Sequence, residues 1–304
     1  MTTGPRHVWV DGRVVDADAT HLSVFDRGFQ LGDGIFETLR ARGGRPTELA
    51  EHLARLHRSA AGLEIALPDD VDTRLTEGII ALLAAEGLDG PGGDASVRIT
   101  VSRGPFRARG VLPPDEGAAA TLVIQAWPVT AAPASHLERG LHLASSRVRR
   151  DPLNPLAMLK TTSRAEYVYA RLEARRAGAD DALFLTVDDY LSEATSANLF
   201  LVRRATDGVL ELATPALDCA ILPGTTRSWL LGWAARTGLR PLQGRLTRAD
   251  LAAADEAFLS SSVAGILPVT RFDGAPIGTG VPGPWTSRAR ADREAMIRAS
   301  GDGA

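Results

Sequence analysis

Along "RHVWVDGRVV", apolar and polar positions alternate on both sides of an Asp-Gly pair, a pattern that predicts a β-hairpin with a tight turn. "GDGIFETLRARGGRPT" carries the strand signal on as strand, turn and strand. The period then changes. In "ELAEHLARLHRSAAGL", Leu49, Leu53, Leu56 and Ala60 recur at helical spacing, and "DDVDTRLTEGIIALLAAEGL" predicts a second helix behind an Asp-rich start. Two strands follow, "ASVRITVSRG" and "ATLVIQAWPV", joined by the loop "PFRARGVLPPDEG".

"PVTAAPAS" has no periodicity and is rich in Pro and Ala, which sets an interdomain linker at residues 128–135. A small N-terminal α/β domain over 1–127 and a larger C-terminal domain over 136–304 result. The second half opens with the strand "GLHLASSRV" and a loop reaching Lys160. The helix "SRAEYVYARLEARRAGA", ended by Gly178, comes next, then a hairpin of two strands in "DALFLTVDDYLSEATSANLFLVRR". "LPGTTRSWLLGWAARTG" is a glycine turn entering a helix, and "ADEAFLSSSVAGILPVTRFDG" is strand, Ser-rich loop, strand. "SRARADREAMIRAS" predicts a C-terminal helix with a frayed, Gly-rich end. Helices and strands mix without a regular βαβ rhythm, so the expected class is α+β rather than a doubly wound sheet.

Composition narrows the function classes. A chain of 304 residues with 44% hydrophobic content can bury a substantial core. Its net charge of −3, from 34 basic and 37 acidic residues, provides no footprint for nucleic acid or an anionic membrane. One cysteine, Cys219, excludes an internal disulfide, and the N-terminus lacks the layout of a signal peptide, so a cytoplasmic protein is expected. No stretch reaches the roughly 20 apolar residues of a membrane-spanning helix.

The six histidines form no metal-ligand pair, since His52 and His57 are five apart and off a common helix face, and no metal site is expected. Nucleophile elbow and Walker loop are absent. The one G-x-G-x-x-G match, Gly278 to Gly283, contains Pro282 and lacks a strand-to-helix context. What remains suits an anionic, electron-withdrawing cofactor. Thr225 and Thr226 in "LPGTTRSWLL" read either as helix N-caps or as part of a phosphate cradle on free backbone N–H groups. Glu193 in "LSEATSANLFL" is either a solvated turn residue or a carboxylate facing a pyridinium nitrogen. Arg55 is either a surface arginine or a bidentate phosphate ligand.

Taken together and in order, "FDRGFQLGDGIFETLRA", "HLARLHRSA", "LKTTSR", "ADDALFLTVDDYLSEATSANLFLV", "LDCAILPGTTR" and "ADEAFLSSSVAGILPV" resemble the class IV aminotransferases, the pyridoxal 5'-phosphate enzymes of fold type IV. The resemblance spans nearly the whole chain. It implies Lys160 as the Schiff-base lysine and Glu193 as partner of the pyridine nitrogen. Arg55, Thr225 and Thr226 become the phosphate cradle, helped by Ser261 or Ser262, with Leu222 against the cofactor ring. It also implies two α/β domains and a homodimer. The chemistry agrees: an imine-forming lysine must spend time as the neutral amine, and can then shuttle a proton at the substrate α-carbon.

Branched-chain members typically carry glycine where this chain has Thr38 and tyrosine where it has Ala165. "FET" and "KTTSRAEYV" look more like aminodeoxychorismate lyases and D-amino-acid transaminases. Arg27, Arg107 and Arg109 read either as solvated loop arginines or as a carboxylate clamp; Arg107 and Arg109 match the arginine and histidine of the D-amino-acid transaminase carboxylate trap, and Phe36 replaces its tyrosine. The expected activity is transfer of an amino group between an amino acid, D-alanine or D-glutamate foremost, and a 2-oxo acid. Aminodeoxychorismate lysis is the alternative, followed by branched-chain or R-amine transamination and a non-catalytic cofactor-binding protein.

Overall fold

The computed structural model describes residues 4–113 and 119–301, and the chain divides into two compact units. The last residues of the expected "PFRARGVLPPDEG" loop and the Gly-rich C-terminal end lie outside the described residues.

In the first unit, β1 (His7–Val10) and β2 (Arg13–Asp16) form the expected hairpin. Asp11 and Gly12 both take positive φ, 46° and 102°, the turn whose twist suits paired antiparallel strands. The short helix α1 (Arg27–Leu31), which the patterning did not announce, starts where the Asp26 side chain accepts from the Gly28 N–H. Strands β3 (Gly34–Arg42) and β4 (Arg45–Pro46) lead into helices α2 (Leu49–Gly62) and α3 (Val71–Ala85). Strands β5 (Asp94–Ser102) and β6 (Thr121–Pro128) complete an antiparallel sheet in the order β2-β1-β6-β5-β3-β4. One face is apolar: Leu39, Ile99 and Ile124 from the strands meet Leu56, Leu75 and Ile79 from the helices, all fully or almost fully buried. Each such side chain contributes about 1.5–3 kcal/mol by leaving water. Strand alternation puts Phe36, Thr38, Arg98 and Thr100 on the opposite face.

The segment Leu159–Arg164, expected in the C-terminal domain, packs with this first unit. Its backbone runs beside the start of β3: the Phe36 N–H donates to the Lys160 carbonyl at 2.9 Å and the Thr162 N–H to the Gly34 carbonyl at 2.8 Å. Strand pairing outweighs sequence distance there.

The first helix of the second unit is α4 (Ala134–Glu138), whose first two residues fall in the stretch expected to be linker and where Pro133 provides a fixed φ at the helix start. It continues through β7 (Leu141–Arg150), α5 (Ala165–Arg176), β8 (Asp181–Thr186) and β9 (Leu191–Ala194). Then come β10 (Asn198–Arg204), β11 (Leu210–Pro215), α6 (Thr225–Thr237), β12 (Arg240–Gly244) and α7 (Arg248–Ala252). Strands β13 (Glu256–Ser261), β14 (Gly265–Phe272) and β15 (Ala275–Pro276) precede the last helix, α8 (Pro284–Gly301). The sheet order is β12-β11-β10-β13-β14-β7-β8-β9, with β15 on β14.

Three features differ from the patterning. The expected two-strand hairpin at 181–204 is three strands: Leu191–Ala194 pairs with β8, while β10 pairs with β11 and β13. The pairs β7/β8 and β11/β12 are parallel, so α5 and α6 act as crossovers and two βαβ units exist after all. Strands β11 and β12 and helix α7 were too short and mixed in character to be read. Among the described residues, no helix is long and apolar enough to cross a membrane.

Candidate active site

Strand β3 has two chemical faces. On the helix-covered side, between Ile35 and Leu39, Glu37 points a carboxylate into the core, where it would be costly without partners. Helix α2 supplies them. The Arg55 guanidinium donates from Nε to Oε1 at 2.7 Å and from Nη2 to Oε2 at 2.6 Å, and His52 Nδ1 lies 2.8 Å from Oε2. Burial pushes the Glu37 carboxyl up, but the hydrogen bonds from Arg55 and His52, with the charges of Arg55 and Lys160, outweigh it and bring it down to about 2. Arg55 is therefore not a surface residue: it is 3% exposed and rigidly aimed.

Lys160 is held at its backbone, donating from its N–H to Ser59 Oγ at 3.1 Å. Gly32 makes the close approach of its segment possible: at φ 67°, a Cβ there would lie 2.6 Å from Ser163 Oγ. The Lys160 amine sits 4.4 Å from the centre of the Phe36 ring. Two further cations share that ring, Arg98 at 4.0 Å and Arg164 at 5.7 Å. Arg98 is the cross-strand partner of Thr38 and donates from Nε to Thr100 Oγ1 at 3.2 Å. Among the described residues it meets no carboxylate. Burial, and behind it the charge of Arg164, pulls its guanidinium down from its ordinary value, so an anion arriving here relieves a real penalty.

The structure thus groups Phe36, Thr38 and Lys160, and adds Arg98 and Arg164, which the sequence reading passed over. Their signals were available. Arg98 breaks the apolar alternation of "VRITV", and Arg164 ends "LKTTSR" itself. Another signal was missed too: Lys160 is the only lysine among the 34 basic residues of the chain. Arg27 stands apart, 3% exposed and bonded to Asp33 and to loop carbonyls, whereas Arg107 and Arg109 are exposed on the loop after β5.

In the second unit, Glu193 lies within β9 and is 6% exposed, not in a solvated turn. Its Oε2 accepts from the Leu222 N–H at 3.0 Å and from Asn198 Nδ2 at 3.2 Å, and Arg150 Nη2 stands 4.0 Å from Oε1. The carboxylate fixes the backbone of Leu222, whose side chain is half-buried, just ahead of the turn into α6. That helix starts at Gly224, which provides no side-chain cap. A Cβ at Gly224 would collide with Asn198 Oδ1, so glycine alone lets the turn close. The helix dipole at this end favours an anion. Thr225 Oγ1 lies 3.1 Å from Ser262 Oγ. Thr226 turns inward, its Oγ1 accepting from Arg293 Nη2 at 3.3 Å, and so presents only its backbone outward. Ser261 is half-buried at the end of β13.

Taken unit by unit, the buried carboxylate of Glu193 suits a protonated pyridine nitrogen and the uncapped helix start behind a tight glycine turn suits a phosphate, while in the first unit the half-buried amine of Lys160 suits an aldehyde. Among the described residues, no group of three His, Cys, Asp or Glu is placed to hold a metal ion.

The sequence profile of amino-transferase class IV matches residues 34–272. The chain is 30% identical over 299 residues to a D-alanine aminotransferase of Listeria innocua, covering 97% of this chain and 98% of that one. Among solved structures it is similar to a branched-chain amino acid aminotransferase of Escherichia coli, with a TM-score of 0.87 and 28% identity over 96% of this chain and 95% of that one. It is also similar to a 4-amino-4-deoxychorismate lyase of Pseudomonas aeruginosa, with a TM-score of 0.79 and 35% identity over 94% and 97%.

Proposed function

Because the chain belongs to the class IV aminotransferases, pyridoxal-phosphate enzymes of fold type IV, we propose that it moves an amino group between a D-amino acid, D-alanine or D-glutamate foremost, and a 2-oxo acid. The observation that carries this reading is the Lys160 amine on the same ring as Arg98, a cation without a carboxylate partner among the described residues. An amino acid brings that pair of needs together: a reacting centre for the amine and a carboxylate for the arginine.

When bound, pyridoxal phosphate supplies an electrophilic carbonyl and an electron-withdrawing ring that acidifies the α-C–H of an amino acid. The protein's part is binding and proton movement. Lys160, as the neutral amine, would accept the proton from the substrate α-carbon and hold it for return. Glu193, fixed by Leu222 and Asn198, would keep the pyridine nitrogen protonated. In the second unit the first turn of α6, with Thr225 and Ser262, would hold a phosphate; in the first, Arg55, clamped by Glu37, would serve as a cationic phosphate ligand. Arg98 and Arg164 hold a carboxylate beside Lys160. Arg107 and Arg109 form a second basic set, so a dicarboxylic substrate such as D-glutamate has a partner for each end.

Thr38 and Ala165 stand where branched-chain members carry glycine and tyrosine, which favours D-amino acids over leucine. The 35% identity to a 4-amino-4-deoxychorismate lyase supports a second reading, elimination of pyruvate from aminodeoxychorismate. A homodimer accords with the exposed apolar side chains of Val24, Phe29, Val111 and Leu112 in the first unit. The test follows the visible absorbance of the cofactor-loaded protein through additions of D-alanine, D-glutamate, L-leucine and L-glutamate. Conversion to the pyridoxamine spectrum by a D-amino acid, reversed by pyruvate or 2-oxoglutarate, is the expected result. Conversion by the L-amino acids alone overturns it, and no conversion directs the next assay to aminodeoxychorismate.

A further inference from the structure

The carboxylate of Asp33, between α1 and β3, gathers contacts that the proposed chemistry does not use. Arg27 donates to it from Nε at 2.7 Å, and Arg103 from Nε at 2.8 Å and Nη2 at 3.1 Å. Both guanidinium groups then reach further. Arg27 donates from Nη2 to the Val111 carbonyl at 2.7 Å and from Nη1 to the Gly110 carbonyl at 3.3 Å. Arg103 donates to the carbonyls of Leu63 and Glu64 at the end of α2, at 2.6 and 2.7 Å. Burial pushes the Asp33 carboxyl up, but the two arginines more than offset it and hold it below the usual carboxylate range. One half-buried charge thereby ties the end of α2 to the loop that follows β5.

The same loop is zipped to the segment before α1 by its backbone. The Arg27 N–H donates to the Gly104 carbonyl at 3.0 Å, and the Phe106 N–H to the Phe25 carbonyl at 2.9 Å. At its tip Arg107 and Arg109 are exposed, Arg107 lying 4.9 Å from the centre of the Phe25 ring. Exposed loop arginines ordinarily sample many positions. Here the carbonyls immediately beyond Arg109 are clamped from below.

We propose that Arg27 is a positioning residue and not a substrate ligand: counter-charged by Asp33, it latches the 103–113 loop so that Arg107 and Arg109 are held in place for a substrate carboxylate. Each nitrogen of its guanidinium already has an acceptor within the protein. The carboxylate role of Arg107 and Arg109 rests on the proposed transaminase activity; the latch does not.

The test combines hydrogen exchange and steady-state kinetics on the cofactor-loaded full chain, comparing wild type, Arg27→Gln, Arg27→Lys, the double variant Arg107→Ala/Arg109→Ala, and that double variant with Arg27→Gln added. The expected result is exchange of the Phe106 amide at least about tenfold faster in Arg27→Gln. KM for the amino acid rises by a similar factor while kcat and cofactor occupancy hold, and adding Arg27→Gln to the double variant raises KM no further. Arg27→Lys, which keeps a charge for Asp33 but serves fewer carbonyls, falls between, and it carries the comparison if Arg27→Gln does not fold. A raised KM with unchanged exchange makes Arg27 a direct ligand and overturns the proposal. Faster exchange with additive effects on KM, or with lost cofactor, makes its role merely structural and also overturns it. A wild type without transaminase turnover sinks the activity reading, while the exchange data still decide the latch.

Discussion

Arg55 and Glu37 meet edge to edge, their two hydrogen bonds of 2.7 and 2.6 Å enclosed on the helix-covered side of β3. A guanidinium in that grip has its orientation set by strand and helix together.

The first consequence concerns acid. Glu37 is depressed from 4.5 to about 2, so its contribution is fully present above pH 4.5 and is lost as pH falls from there through about 2. On the order of 3 kcal/mol is at stake. Thermal denaturation of wild type and Glu37→Gln between pH 7 and pH 2 measures it: the variant starts lower at pH 7 and loses less on acidification. Parallel curves for the two proteins would remove Glu37 from the account.

Lys160 is the one lysine of the chain, so no other lysine competes for the role proposed for it. Borohydride treatment of the cofactor-loaded protein is expected to leave one pyridoxyl group, on the peptide containing Lys160. Lys160→Ala should lose that label and at least about a hundredfold in turnover. Retained turnover would mean the proton is carried by another group.

Removing the uncompensated cation should act on substrate and not on cofactor. Arg98→Met is expected to raise KM for amino and 2-oxo acids on the order of tenfold to a hundredfold, the worth of a charge-assisted hydrogen bond, with cofactor affinity unchanged. Equilibrium dialysis of pyridoxal phosphate beside the kinetics separates the two. A loss of cofactor affinity at constant KM would reassign Arg98 to the phosphate.

Glu193→Gln keeps an oxygen for the Leu222 N–H but discards the charge, so the fold should survive while turnover drops on the order of 10²–10³. Cofactor spectra and kcat for the variant decide this, and an unchanged kcat would show that the pyridine nitrogen needs no carboxylate here.

At Gly224 the objection is steric. An added methyl meets Asn198, so Gly224→Ala is expected to displace the turn into α6 and weaken pyridoxal phosphate binding at least about tenfold, a loss comparable to one or two hydrogen bonds. Titration of the apoprotein with cofactor reads the change directly.

The sequence made much of this legible, and its failures have physical causes. Helices α2 and α3 announced themselves because their apolar faces repeat over several turns against one sheet. A solvated turn stayed open as a reading of Glu193 because "LSEA" is only four residues long and its strand character comes from pairing with β8. Arg98 and Arg164 were passed over because what makes them unusual is a shared aromatic ring, and residues so far apart in sequence meet only through register. Arg27 is the reverse case. Its neighbours in "FDRGFQ" marked it as notable, but only coordinates show that its donors are already engaged.

The short stretch Leu159–Arg164 also bears on how the molecule is made. A ribosome makes β1 through β6 before it reaches Lys160, yet the backbone edge at Gly34 and Phe36 is paired by that later stretch. The first unit is therefore left with an open strand edge during synthesis, and it is completed only after the second unit has begun to emerge. A chain ending at residue 130 carries all six strands of that sheet and the Glu37 network, but not the segment that pairs with Gly34 and Phe36.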